Sequence, residues 1–190
     1  MHMNLWQWNV AAWYAGGLYW LVSAFSAKRA RVVEKGSGRL VHALIMAAAF
    51  YLIFARWLGV GILGRRFVPQ SRVLQELGVF LTYLGVAIAI WARYHIGQYW
   101  SGRVGLKHDH KLITSGPYAH VRHPIYTGLL LALAGTALLI GEWRCIVGVI
   151  MATFELSRKA AKEEALLSGE FGEEFQNYRR HTGFLVPRLG

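Results

Sequence analysis

From Leu5 to Phe25 the chain carries no charged side chain, a stretch long enough to cross the hydrocarbon core of a bilayer as one helix. Trp6, Trp8 and Trp13 lie toward one end, with Tyr19 and Trp20 toward the other, as in the aromatic belts of membrane interfaces. The stretch lacks a basic leader and exceeds the apolar core of a signal peptide, so it reads as a first spanning helix. Four more apolar runs follow, at residues 40–58, 77–92, 125–140 and 143–156. Gly141 and Glu142 separate the last two, which therefore read as a tight hairpin. The predicted fold class is an all-α integral membrane protein with five transmembrane helices, forming one domain over residues 1–190.

Composition supports a lipid-facing surface. Hydrophobic residues make up 55% and charged residues 16%, against about 25% charged in an ordinary soluble chain. The net charge of +11 fits anionic headgroups better than nucleic acid in so apolar a chain. Lys and Arg concentrate in the loop 28–39, in the segment after the third run and in the C-terminal tail. That asymmetry predicts that these three segments face the cytoplasm. The small size points to a prokaryotic inner membrane. Cys145 is the only cysteine and can form no internal disulfide.

Residues 93–122 read as a polar, His-rich, water-exposed segment, and the chain after Leu156 as a charged helix continuing from the hairpin. A hairpin that goes out and returns brings its ends together. His108, His110, Tyr118, His120, Arg122, His123 and Tyr126 should therefore meet Lys159, Lys162, Glu163 and Glu164. The histidine spacing favours a metal only weakly and there is no second cysteine, so no metal is expected. There is no nucleophile elbow and no Walker A sequence.

The run His110-Lys111-Leu112-Ile113, then Gly116-Pro117-Tyr118, then Arg122-His123-Pro124-Ile125-Tyr126-Thr127-Gly128, resembles the isoprenylcysteine carboxyl methyltransferases; related phospholipid methyltransferases share parts of it. Beyond the hairpin the pattern resumes with Glu163-Glu164-x-Leu166-Leu167, Phe171-Gly172-Glu173-Glu174-Phe175-x-x-Tyr178, Thr182-Gly183 and Pro187. The resemblance covers residues 100–190. It implies a cofactor, S-adenosylmethionine, with S-adenosylhomocysteine as product. It places cofactor contacts at His110, Lys111, Leu112, Ile113, Tyr118, His123, Pro124, Ile125, Tyr126, Glu163 and Glu164, in a cytoplasmic pocket built from the loop before the hairpin and the C-terminal segment. Arg122, His123 and Lys159 are the catalytic candidates. Lys159 stands where eukaryotic members have an acceptor-holding arginine, with Arg158 adjacent, and Arg103 stands where they have a glutamine.

These residue types suit the chemistry. A carboxylate can meet the ammonium or ribose hydroxyls of S-adenosylmethionine, and tyrosine faces can meet adenine or the methylsulfonium. A carboxylate acceptor is ionised at neutral pH and needs no base, whereas an amine would give His123 or Glu163 a proton to take. The resemblance implies carboxyl O-methylation of a prenylated or lipid-like acceptor within the bilayer. Phosphatidylethanolamine N-methylation is the alternative, a non-catalytic carrier or assembly protein is the reading from another class, and a sterol-reductase relative is a remote one.

Overall fold

The computed structural model describes residues 3–25, 37–100 and 111–188. Five α-helices follow in order: α1 (Leu5–Ala24), α2 (Ser37–Phe54), α3 (Arg72–Ile96), α4 (Pro124–Ile140) and α5 (Trp143–His181). Among the described residues there is no strand, only two isolated bridges. α1 starts at a capping box, in which the Asn4 side chain accepts from the Gln7 backbone at 2.9 Å and Gln7 returns the bond at 2.8 Å. Pro124 occupies the first turn of α4, where no intrahelical donor is lost. Gly141 ends α4 in the left-handed region at φ 77° and lets the chain reverse into α5.

The tightest packing is α3 on α4. A Cβ built on Gly85 would lie 2.4 Å from the Gly128 carbonyl oxygen, and one on Gly135 would lie 2.6 Å from that of Gly78. Backbone meets backbone along this seam, so only small residues fit, as in close helix pairs within membranes. Gly85→Leu is expected to force the helices apart and lower stability by about 1–3 kcal/mol or more. Thermal unfolding of the detergent-solubilised variant checks it; an unchanged midpoint would show that the seam yields freely.

Two polar clusters fix the remaining helices. The Asn9 amide donates to Thr82 at 2.8 Å and Thr136 at 3.2 Å, tying α1 to α3 and α4 with all three side chains buried. Arg144 is buried too. Its Nη1 donates to the carbonyls of Leu52 and Ile53 at 2.6 and 2.8 Å, and its Nε meets Glu142 at 2.6 Å. Arg144 therefore closes the C-terminal end of α2 onto the start of α5.

The large apolar side chains point outward and the small ones inward. Leu18, Leu21 and Val22 on α1, Val73 and Phe80 on α3, and Ile150 and Phe154 on α5 are exposed, while alanines and glycines fill the interior. So large an apolar exterior marks a lipid or protein contact surface. Five helices stand where five spans are expected, yet among the described residues one, Arg72–Tyr99, is long and apolar enough to cross a bilayer by length and composition. Gly38–Phe54 and Pro124–Ile140 are apolar but shorter.

One expectation needs correction. The segment after the third run is neither wholly water-exposed nor loop-like: α3 continues to Ile96, Arg93 is buried in its last turn, and Tyr118 is buried as well. Helix α5 continues from the hairpin through the polar stretch, as expected, and reaches His181, broken only at Gly172, where φ is +50° and ψ is −121°. Separately, Gly59, Gly61 and Gly64 have the spacing of a dinucleotide-binding loop, but they lie in turns after α2 with no strand before them. That context rules out the fingerprint's usual function.

Candidate functional site

The hairpin of α4 and α5 brings the two predicted segments together. Arg122 and His123 immediately precede α4, Tyr126 lies in its first turn, and Glu163 and Glu164 sit on α5 opposite them. The Arg122 Nε donates to Glu164 Oε1 at 2.6 Å, and His123 Nε2 lies 3.2 Å from the same oxygen. Arg179 Nε approaches the other carboxylate oxygen at 3.7 Å. Burial raises the proton affinity of the Glu164 carboxyl, but the bonds from His123 and Arg122 outweigh it and hold the group below its ordinary range. Glu164 thus acts as the buried knot of the hairpin's open end.

Its neighbour faces elsewhere. Glu163 accepts from the Tyr126 hydroxyl at 2.7 Å, and its second oxygen lies 3.6 Å from His123 Nδ1. The His123 ring stacks on Tyr126 at 5.5 Å, with planes 4° apart, and meets the edge of Phe184. Tyr118 is buried in the 3-10 turn Gly116–Ala119, and burial pushes its phenol well above the usual value.

The C-terminal tail roofs this cluster through backbone bonds. Arg122 N–H donates to the Gly183 carbonyl at 2.9 Å, His123 N–H to Phe184 at 3.3 Å, and Gly183 N–H to His120 at 3.1 Å. The Thr127 hydroxyl donates to the Leu185 carbonyl at 2.6 Å, and the Arg122 guanidinium to the Thr182 carbonyl. The Tyr178 hydroxyl donates to the Tyr118 carbonyl at 2.7 Å. Both halves of the motif are therefore one folded unit.

Beneath the roof lies a cavity of about 130 Å³. Of the residues that the sequence singles out, Lys111, Leu112, Ile113, Tyr118, Arg122, His123, Ile125, Tyr126 and Glu163 line it. Pro124 is buried as the start of α4, and Glu164 holds Arg122 and His123 from behind. His110, His108 and Arg103 lie outside the described residues. Leu166, Leu167, Phe175 and Tyr178 complete the wall, together with Ile96, Tyr99 and Trp100, which the sequence reading left without a role. Trp100 is held by Arg93, whose guanidinium stands 4.5 Å from the ring and donates to the carbonyls of Gly97 and Ser23. No cluster able to hold a metal ion occurs among the described residues.

A second, largely apolar cavity of about 810 Å³ lies alongside, between α1, α2, α3, α4 and α5. Trp100, Ile125 and Tyr126 line both cavities. Lys159 lines the larger one, its Nζ 5.5 Å from the Tyr126 ring centre. Arg158 instead meets Glu155, at 2.8 and 2.5 Å. Glu155 was missed as a feature although an acidic residue inside an apolar run is a signal in its own right.

The sequence and the fold both have counterparts among known proteins. The sequence pattern of the Isoprenylcysteine carboxyl methyltransferase (ICMT) family matches residues 77–168. The chain is 33% identical over 121 residues to the protein-S-isoprenylcysteine O-methyltransferase of Schizosaccharomyces pombe, covering 62% of this chain and 51% of that one. It is 32% identical to the cobalt-zinc-cadmium resistance protein CzcN of Cupriavidus metallidurans, over 81% of this chain and 63% of the relative. Methanethiol S-methyltransferase of Crocosphaera subtropica is 27% identical, over 87% of this chain and 67% of its own. The chain thus spans about half to two thirds of the length of these relatives. Its fold matches the solved structure of the eukaryotic intramembrane Ras methyltransferase ICMT with a TM-score of 0.69 at 19% identity, covering 96% of this chain and 66% of that one. Over residues 77–168 the chain carries the sequence pattern of the isoprenylcysteine carboxyl methyltransferase family.

Proposed function

We propose that this protein is a membrane-embedded, S-adenosylmethionine-dependent methyltransferase acting on a lipid-like acceptor. Its reaction is carboxyl O-methylation of an isoprenylcysteine-type molecule. The observation that carries the reading is the shared wall: a small cavity with a carboxylate and aromatic rings touches a large apolar one at Trp100, Ile125 and Tyr126. Methyl transfer needs two different molecules to meet end to end, one polar and one apolar here.

The small cavity's lining suits S-adenosylmethionine. Glu163 offers an anion for its ammonium or ribose hydroxyls, Tyr118 and Tyr126 offer ring faces, and Leu112, Ile113, Leu166 and Leu167 offer an apolar slot for adenine. When bound, the cofactor supplies a methyl group on a positively charged sulfur. The Tyr126 hydroxyl orients Glu163, and the Glu164 knot fixes Arg122 and His123. Lys159, one turn before Glu163, lies on the acceptor side and balances an acceptor carboxylate. A carboxylate acceptor carries its own negative charge at neutral pH, so alignment and exclusion of water remain for the protein to supply.

The outward apolar side chains support integration in a bilayer, with the cavities near the cytoplasmic face and the acceptor entering from the lipid. The test is calorimetric titration of the detergent-purified protein with S-adenosylhomocysteine, followed by transfer of a labelled methyl group to a farnesylated carboxylic acid. Binding together with a base-labile methyl ester is the expected result. Base-stable label on phosphatidylethanolamine would shift the reading to N-methylation, and a folded sample that binds nothing would favour a non-catalytic protein.

A further inference from the structure

The larger cavity admits two basic side chains, Lys159 from α5 and His42 from α2. Lys159 already has a place in the proposed reaction; His42 does not. Its Nδ1 lies 2.8 Å from Oε1 of Glu155, a fully buried carboxylate. Arg158 grips that carboxylate at both oxygens, at 2.8 and 2.5 Å. A carboxylate can only accept, so the His42 Nδ1 donates to it, and the ring's orientation is fixed by a partner that is itself braced. Nε2 is then the nitrogen that His42 offers to the cavity. A mere strut between α2 and α5 would be served as well by apolar packing, which is why a histidine held by a buried carboxylate on a cavity wall points beyond stability.

Distance along α5 relates this pair to the proposed chemistry. Glu155 and Lys159 are four residues apart, about 6 Å along the axis and on one face. With His42 anchored to Glu155 and Lys159 one turn further along α5, two basic groups line the same cavity and can meet two neighbouring polar groups on one acceptor headgroup. We propose that His42 is a specificity-determining residue that reads a hydrogen-bonding group, such as an amide, beside the acceptor's methylated carboxylate. The inference rests on the methyltransferase reading, in which this cavity holds the acceptor.

Two probes isolate the contact: N-acetyl-S-farnesylcysteine, and S-farnesylthiopropionic acid, which lacks the acetamido group. The wild-type protein should show a KM about tenfold lower for the first, the worth of one hydrogen bond of ordinary strength. His42→Phe should raise that KM to the level of the second probe, leaving kcat and S-adenosylhomocysteine affinity unchanged. His42→Gln keeps a hydrogen-bonding group facing the cavity and should retain part of the preference. It also serves should the phenylalanine variant fold poorly. Unaltered discrimination in both variants, or an equal rise in KM for both probes, would overturn the inference alone. A wild-type protein that binds no S-adenosylhomocysteine would instead bring down the methyltransferase reading, and this inference with it.

Discussion

Glu164→Ala should destabilise the protein by about 3–5 kcal/mol, enough to lower its thermal midpoint by many degrees. The carboxylate is buried between Arg122 at 2.6 Å and His123 at 3.2 Å, with Arg179 at 3.7 Å. Its removal strands the Arg122 guanidinium, whose side chain is only 8% exposed, without its charge partner. The cost then arises from the charge left behind rather than from the lost attraction. That account makes a sharper claim about the double variant. Arg122→Met with Glu164→Leu removes both charges and should recover much of the lost stability, while the Gly183 and Phe184 carbonyls still hold the tail through the backbone N–H groups of residues 122 and 123. Tryptophan fluorescence during heating of both variants decides it. If the double variant is as unstable as the sum of its parts, the buried charge is not the cause.

Acid should reach the same knot. The Glu164 carboxyl is held below its ordinary value in the folded protein by His123 and Arg122, against the opposing effect of burial. A depressed acid contributes stability that is fully present above its unfolded value, about 4.3, and is lost as the pH falls through the lower folded one. Stability should therefore decline below about pH 4, and Glu164→Gln should flatten that part of the profile. Thermal midpoints measured from pH 3 to 7 test it; parallel curves for the two proteins would assign the acid sensitivity elsewhere.

The meeting of Arg122 and His123 with the glutamate pair was legible from one inference, that a short apolar run, a Gly-Glu turn and a second run must return the chain to its starting side. Nothing further was needed to bring residues forty positions apart into contact. The division of labour between Glu163 and Glu164 was not legible, because adjacent residues on a helix point about 100° apart and the sequence does not say which faces inward. The continuation of α5 was legible beyond its apolar run, though its end at His181 was not. The apolar run ends near Leu156, yet Arg, Lys, Ala, Glu and Leu continue to favour helix irrespective of their solvent. Arg93 opens the stretch expected to be water-exposed, and Arg144 follows the hairpin turn. Each is buried by backbone carbonyls at a helix end, a partner that sequence patterns do not display. The His42–Glu155 contact joins residues 113 positions apart on two helices and has no local signature beyond an acidic residue in an apolar run.

For Glu163 the expectation is the reverse of that for Glu164: Glu163→Ala should leave the thermal midpoint within a few degrees and reduce S-adenosylhomocysteine affinity by about ten- to a hundredfold. The side chain lines the small cavity and is 23% exposed, so truncation leaves no buried charge stranded. Among the described residues its hydrogen-bond partner is the Tyr126 hydroxyl at 2.7 Å, which can turn to a water when the carboxylate is gone. What is lost is an anion facing a ligand that carries an ammonium and two ribose hydroxyls, and charge-assisted bonds of that kind are worth about 1.5–3 kcal/mol. Tyr126→Phe removes only the group that orients the carboxylate and should cost less, about tenfold or below. A calorimetric series of wild type, Tyr126→Phe, Glu163→Ala and Glu164→Gln, each with its melting curve, separates binding from folding. Should Glu163→Ala bind as tightly as the wild type while melting lower, the two neighbouring glutamates would have exchanged roles, and the carboxylate facing the cavity would belong to the hairpin's fold rather than to its ligand.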